Sequence, residues 1–505
     1  MISILSILGY FLAVVAALIL FLVNKLYLKP RRLLSYYKSQ GIHTDYVAPL
    51  GHMTRIKTDF RDNSDSFYYS KVMARTKPDI PLRAINFGDN VMIALNSPEV
   101  LKEFFRNQQI YAKYSHFIKP LRLVCGLGIL TSEGPHWKKH RKILSNFFNF
   151  NFFVDNIPVI RDVVVEFFEE LKSKPKNVHI MDDVQAMSGE IIGRLFFSER
   201  LNHIKMKLTG RPVQLELAYL ISDLSSEARN LLPVLLGSGI IAKGIFKKHK
   251  DILDRRDEMK TLLTSLIYKR RESGAQKNDL LDLMMKTQKD PNPDNSLSDQ
   301  DIVDEFLTFI AAGMDTTGHL FTMALYSLEL HPEVLPELKA EIAQHYNSEN
   351  LDNESLRKMD YMTAFIKEVL RFYSPVPAPM PMEATETHKL GGGKYTIKKG
   401  TVIRPDYFFN NFNAKYFSDP DTFNPKRWFE KEVQSLDPYI YIPFSSGSRN
   451  CIGQHLAMIE AKIMLSEFLN RFDYKCAVKD YNPKLLMRML YEPVPDYLID
   501  LTPKN

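Results

Sequence analysis

The sequence predicts a predominantly helical domain with small β-sheets, preceded by one transmembrane helix at the amino terminus. Three observations carry this expectation. An uncharged apolar run opens the chain, long central segments are apolar at helical spacing, and past Arg371 the texture changes to prolines, glycines and short β-like pieces. The 505 residues are 45% hydrophobic, 25% charged and 11% aromatic. That is globular composition with ample material for a large core, and it excludes pervasive disorder, collagen-like repeats and a polytopic membrane protein. Cys125, Cys451 and Cys476 are too few for a disulfide-stapled module or a zinc-cluster protein, but leave room for one special thiolate. Lys and Arg (66) exceed Asp and Glu (59) to give +7. That excess does not call for nucleic acid; it suits an anionic membrane surface or an acidic protein partner.

The run from Ile2 to Val23 carries no charge. As a helix it would extend about 33 Å at ~1.5 Å per residue, enough to span a bilayer. It is too long for a signal-peptide core, and no basic residue precedes it. Lys25, Lys29, Arg31 and Arg32 follow at once, so this end is expected to face the cytoplasm. The expected organisation is a transmembrane anchor at 2–23, a linker at 24–40 and one domain at 41–505, with no Gly-, Ser- or Pro-rich break inside the last. Ile252, Met259, Leu263, Leu266 and Ile267 form a helical stripe ending before Ser273-Gly274, and Asp290 to Asn295 reads as a loop. Ser298 and Asp301 form a capping-box pattern that opens a long helix through about Leu330, apolar on several sides and so central to the fold. Lys394–Ile397 and Thr401–Ile403 read as short strands.

The strongest chemical signal is Phe444-Ser-Ser-Gly-Ser-Arg-Asn-Cys451-Ile-Gly453. It is a glycine-kinked loop presenting one cysteine just before a predicted helix, His455 to Leu469. Gly447 permits a tight bend and Gly453 the close approach of a bulky group. A helix amino terminus and Arg449 both favour a thiolate at Cys451, and a thiolate there is a nucleophile or a metal ligand. Cys125, in an apolar stretch, and Cys476, near charged residues, lack this context.

The loop resembles the haem-binding pattern Phe-x-x-Gly-x-Arg-x-Cys-x-Gly of the cytochrome P450 superfamily, and the resemblance covers essentially residues 60–500. It implies the cytochrome P450 fold and haem b (iron protoporphyrin IX), with Cys451 as the axial thiolate on the metal. It also implies that Phe444 shields the sulfur and that Arg449 pairs with a haem propionate. Three further motifs resemble the family's and stand in its order. Glu368-Val-Leu-Arg371 with Arg427 of Phe423-Asn-Pro-Lys-Arg-Trp428 looks like its buried structural trio, with Lys426 where an acid is usual and Trp428 where Phe is usual. Trp137-Lys-Lys-His-Arg141 looks like the Trp-x-x-x-Arg that holds propionates, on a basic helix that docks a reductase. Ala311-Ala-Gly-Met-Asp-Thr-Thr317 looks like the oxygen-activation segment. It implies that Thr316 hydrogen-bonds dioxygen at the iron and that Asp315 helps deliver protons, by relay. On Gly313 the sequence reading is that its missing side chain lets something approach the backbone. One departure concerns Pro375 to Glu383, which lacks the further propionate-binding Arg that many members carry.

The resemblance therefore implies a membrane-anchored haem-thiolate monooxygenase. It would insert one oxygen atom of O₂ into a lipophilic small molecule. Electrons would come from NADPH-cytochrome P450 reductase, with cytochrome b5 as an optional second donor. Residues Val376 to Met382 would line its pocket, and the apolar segment Leu231 to Ile241 would dip into lipid at the substrate channel. The family's usual address for such an anchor is the endoplasmic reticulum, with the catalytic domain cytosolic. Two alternatives stay open at this point: a haem-thiolate isomerase or dehydratase acting on a peroxide, and a non-catalytic haem-binding membrane protein.

Overall fold

The computed structural model describes residues 4–48, 50–228, 230, 233 and 238–504. They form two compact units, one made of 1–114, 377–421 and 436–449 and the other of 115–376, 422–435 and 450–505. The chain passes from one unit to the other after Tyr114, Val376, Asp421, Ser435 and Arg449. Because both units are assembled from distant stretches, no linker composition marks a boundary between them.

The first unit begins with the apolar helix α1, Ile4–Val23. A π-helical turn at Asn24–Leu28 continues it directly into α2, Lys29–Lys38. The segment expected as a linker is thus helical up to Lys38. Pro30 follows the π-helical turn at once, and the helix continues through it. Leu34 and Tyr37 of α2 are buried in the core of the sheet that follows. The strands are β1 (His43–Asp45), β2 (Leu82–Phe87), β3 (Asn90–Leu95), β4 (Tyr111–Lys113), β5 (Met382–Ala384) and β6 (Val402–Pro405), in the spatial order β1-β2-β3-β6-β5-β4. β2 and β3 form a hairpin in register Phe87↔Asn90, turned by Gly88 at φ +61°. β3 then runs parallel to β6, Met92 opposite Val402. All of β2 and most of β3 are buried, and β3 accordingly reads as a near-continuous apolar run, whereas β2 carries two buried polar residues, Arg83, which donates to Asp406, and Asn86.

The second unit is helical around one long element. Its principal helices are α3 (Gly134–Ser145), α4 (Ile180–Ile192), α5 (Lys247–Ser273), α6 (Asp299–Leu330), α7 (Asp360–Phe372) and α8 (Gln454–Arg471). The α5 stripe of Ile252, Met259, Leu263, Leu266 and Ile267 is buried, and α5 stops at Gly274 in the left-handed conformation, φ +62°. The capping box that opens α6 is complete: Asp301 N–H donates to Ser298 Oγ, and Ser298 N–H donates to Asp301 Oδ2. At 32 residues α6 is about 48 Å long. Three of its buried hydroxyls are satisfied within the helix; Thr308, Thr322 and Ser327 donate to the carbonyls of Asp304, Gly318 and Met323. α4 packs closely on α6 where glycines remove side chains. A Cβ on Gly313 would sit 2.9 Å from Ile192 Cδ1, and one on Gly318 2.9 Å from Gln185 Cγ. What approaches the Gly313 backbone is therefore a neighbouring helix. Of the segment Leu231 to Ile241, residues 231, 232 and 234–237 lie outside the described residues, and Ser238–Lys243 is a short 3-10 turn.

Candidate active site

The loop expected to present a cysteine does so in a defined way. Gly447 sits at φ +72°, and a Cβ there would lie 2.9 Å from both the Phe105 carbonyl and Gln108 Oε1, so glycine is required on both counts. Phe444 and Arg449 of the same stretch are half-buried. In the second unit, Asn450 and Cys451 lead into α8, whose first residue is Gln454. Arg141 of α3 grips this point: Nη1 donates to the Asn450 carbonyl at 3.0 Å and Nη2 to Asn450 Oδ1 at 2.6 Å. Trp137, one turn earlier on α3, is buried. Among the basic neighbours, Lys139 and Lys142 reach back to Ser296 and Asn295, while Lys138 is exposed.

Cys451 is solvent-accessible, yet burial is the first cause that pushes its thiol up; the Gly453 N–H and the Arg141 guanidinium pull the other way. Both statements hold if the sulfur faces a recess that water can enter and protein walls surround. Gly453 borders open space, since a Cβ there would meet nothing within 4 Å. α6 is opened in the same manner. Between buried turns, Ala312 is exposed and Gly313, Asp315 and Thr316 are partly so. An accessible cysteine with a helix amide and an arginine near its sulfur suits an anionic sulfur ligand, and accessible small residues inside an otherwise buried helix suit the face of a bulky planar group. The residues present fit such a group. By contrast, Cys125 is buried with its thiol pushed up to about 12, and Cys476 lies on an edge of the carboxy-terminal sheet.

Thr316 Oγ1 donates to the Ala312 carbonyl at 2.7 Å, leaving its lone pairs as acceptors. Asp315 accepts from Gln185 Nε2 at 3.3 Å. Burial, then the nearby Glu492 carboxylate, push Asp315 up to about 7. It lines a cavity of about 220 Å³ together with Gln185, Ser222, Ser225, His319 and Glu492. Glu460 of α8 is buried and pushed up to about 8, and it bonds Thr317. Gln185, Glu460 and Glu492 were not foreseen. Each is an isolated polar residue in sequence, and only the helix packing brings it to α6.

Glu368 and Arg371 of α7 meet Arg427 as expected, all three buried. Glu368 Oε1 accepts from Arg371 Nη2 at 2.8 Å, Asn424 N at 2.9 Å and Arg427 Nε at 3.0 Å. Glu368 Oε2 accepts from Arg371 Nε at 3.0 Å and Trp428 Nε1 at 3.1 Å. The two departures from the usual motif are explained. Trp428 adds a donor that Phe lacks, and Lys426 points outward to Glu337 at 2.9 Å.

The cytochrome P450 family description matches residues 62–499. The chain belongs to the cytochrome P450 family. Relatives include cytochrome P450 4c21 of Blattella germanica, 29% identical over 84% of this chain and 86% of that one. Human cytochrome P450 4Z1 is 27% identical over 90% and 89%, and mouse cytochrome P450 3A13 is 28% identical over 83% and 84%. A cytochrome P450DA haem domain shares the fold, with TM-score 0.76 over 92% of this chain and 98% of its own at 23% identity. Membership makes this protein an oxidoreductase of the monooxygenase type that carries haem with a cysteine thiolate and uses a small-molecule substrate, dioxygen and a redox partner. The exposed apolar helix α1, ahead of the matched region, is in keeping with a membrane anchor.

Proposed function

We propose that Cys451 is the thiolate ligand, that Asp315 and Thr316 form the proton path, and that the substrate is lipophilic and reaches the protein from a bilayer. The observation that supports this best is the pairing of an accessible cysteine at a helix amino terminus with an accessible turn in the middle of a buried helix. When bound, haem would supply the activation of dioxygen, chemistry that no side chain performs. The chain's own residues do the rest. The Gly453 N–H and Arg141 favour negative charge at Cys451 Sγ and offset part of the effect of burial, which pushes the thiol up. Arg141 and Trp137, with Arg449 two residues before the cysteine, are assigned to the propionates, and Phe444 to shielding the sulfur. Gly447 and Gly453 keep the loop shaped for close approach. Asp315 shares its time between the protonated and ionised forms near neutral pH because burial raises it to about 7, and it faces a cavity lined with polar groups from which the proton can be replaced. Gln185 orients its carboxyl. Thr316 can accept a proton on its hydroxyl oxygen while giving its own onward. A replenished proton store of this kind serves reductive cleavage of dioxygen and has no use in an isomerase or dehydratase.

In this reading α1 places the protein in the endoplasmic reticulum membrane with the domain on the cytosolic side, where an NADPH-dependent flavoprotein reductase delivers electrons. The domain boundaries then follow the anchor at 2–23, with α2 as a rigid connector. The test is the absorption spectrum of the dithionite-reduced protein with and without carbon monoxide. A strongly red-shifted Soret band, abolished in Cys451→Ala, is expected. Haem that shows no such shift, or a shift that persists in the variant, would overturn Cys451 as the ligand.

A further inference from the structure

The helix that carries Trp137 and Arg141 presents a second pair of residues on an adjacent face, His136 and His140. Each lies four residues from its partner, so both imidazoles project from one side of α3. The first turns of α6 answer with Asp301 and Glu305, also four apart. The structure brings these four together. His136 Nε2 is 3.7 Å and His140 Nε2 is 3.6 Å from the same oxygen, Asp301 Oδ1. The two imidazole rings lie 4.1 Å apart, centre to centre. Asp301 Oδ2 is occupied by the Ser298 amide in the capping box, so Oδ1 is the oxygen left to face the histidines. His140 is fully buried, and among the described residues its Nε2 has no hydrogen-bond partner. Its other nitrogen, Nδ1, lies 2.6 Å from Glu305 Oε1, a carboxylate that is also fully buried.

We propose that His136, His140 and Asp301 bind a divalent transition-metal cation, Zn²⁺ in the first instance, which clips α3 to α6. Two imidazole nitrogens and one carboxylate oxygen are a donor set of zinc type; magnesium and calcium prefer all-oxygen sites. Ligand atoms about 2.0–2.1 Å from a tetrahedral ion stand roughly 3.3–3.4 Å from one another. The observed 3.6 and 3.7 Å are a few tenths longer, a difference that small side-chain rotations close. Glu305 completes the arrangement found behind metal-binding histidines, in which a carboxylate accepts the distal N–H and leaves the other nitrogen's lone pair for the ion. His136 is about a third exposed (32%) and Asp301 16%, so an ion can enter from solvent and keep a water as its fourth ligand. Binding costs one existing contact, the 3.0 Å hydrogen bond between His136 Nε2 and the Leu127 carbonyl.

The competing occupant is a proton. Burial opposes a charge on His140, but Asp301 and Glu305 outweigh it and push the imidazole up to about 9. The two occupants are told apart by direct metal binding. The full-length, untagged holoprotein is stripped with a chelator and titrated with Zn²⁺ by calorimetry, and zinc per haem is measured after dialysis. One zinc per haem and a melting temperature several degrees higher with zinc are expected. His136→Ala and Asp301→Asn, both changes at partly exposed positions, are expected to lower zinc affinity at least tenfold while leaving haem content unchanged. Replacing the exposed His203 with Ala is expected to change nothing. Absence of stoichiometric zinc in the wild type, or equal affinity in the wild type, His136→Ala and Asp301→Asn, would overturn the site. Haem content, read separately from the Soret band, keeps this result independent of the assignment of Cys451.

Discussion

Glu368 and Asp315 are both carboxylates in the interior of helices of the same unit, and their surroundings are opposite. Glu368 is enclosed by donors: Arg371 twice, Arg427, Trp428 and the Asn424 amide. Asp315 has among the described residues one long bond from Gln185, a second acid nearby in Glu492, and a cavity in front of it. A carboxylate whose lone pairs are filled by arginines has a fixed position, so it holds structure. One starved of donors keeps its proton to higher pH and can hand it on. Glu368 is fully buried and Asp315 partly so, and the number of donors around each is what separates them most.

The comparison can be broken most forcefully at Glu368. Glu368→Ala strands Arg371 and Arg427 in the interior, and a loss of about 3–5 kcal/mol is expected, seen as failure to fold or as a large fall in melting temperature by circular dichroism. An unchanged melting curve would remove the claim that this cluster is structural. At the other pole, if Asp315 delivers protons as proposed, Asp315→Asn removes that store but keeps the shape. Turnover is expected to fall on the order of 10²-fold, with folding and haem content unchanged. The sign with pH follows from a value raised to about 7: the protonated fraction, and with it the proton-dependent rate, declines as pH rises through 7. In Asp315→Asn that decline should vanish. Thr316→Ala should leave the rate of NADPH consumption largely intact while diverting it several-fold from product to peroxide, measured as product formed per NADPH.

Two smaller effects sharpen the contrast. Glu460, buried and pushed up to about 8 from 4.5, resembles Asp315 in its surroundings. Its protonated form is the one the fold prefers. Stability is therefore fully present below pH about 4.5 and is lost progressively as pH rises through 8. Glu460→Gln should then match the wild type near pH 4.5 and become increasingly the more stable of the two up to pH 8, by denaturant titration at a series of pH values. Trp428→Phe subtracts a single donor from Glu368 and is expected to cost about 1.5–3 kcal/mol, the smallest change to either carboxylate's surroundings. A neutral result there would show that the remaining donors suffice.

Much of this was legible in the chain itself. Local patterns carry local structure, and so the apolar amino-terminal helix, the Ser298–Asp301 capping box, the length of α6, the stop at Gly274 and the strands near 395 and 402 all follow from spacing and from residue type. That the segment 24–40, expected as a linker, is helical up to Lys38 with Leu34 and Tyr37 buried could not be read locally, because their burial depends on a sheet whose strands come from residues 43 to 405. Gly313 was recognised as an opening, but that Ile192 fills it could not be read from a position more than a hundred residues away.

By itself the sequence determined which residue types stand at short, fixed offsets: the Cys451 loop, Trp137 with Arg141, Glu368 with Arg371, and the Asp315–Thr316 turn. Those offsets set helix faces and loop kinks, which need only neighbouring backbone. The tertiary structure alone decided the charge state and company of each group. It supplied Asn450 to Arg141, Trp428 to Glu368, Gln185 and Glu492 to Asp315, and Asp301 with Glu305 to the two histidines. A side chain's protonation and partners depend on desolvation and on donors brought from distant parts of the chain, and those exist only once the helices have packed.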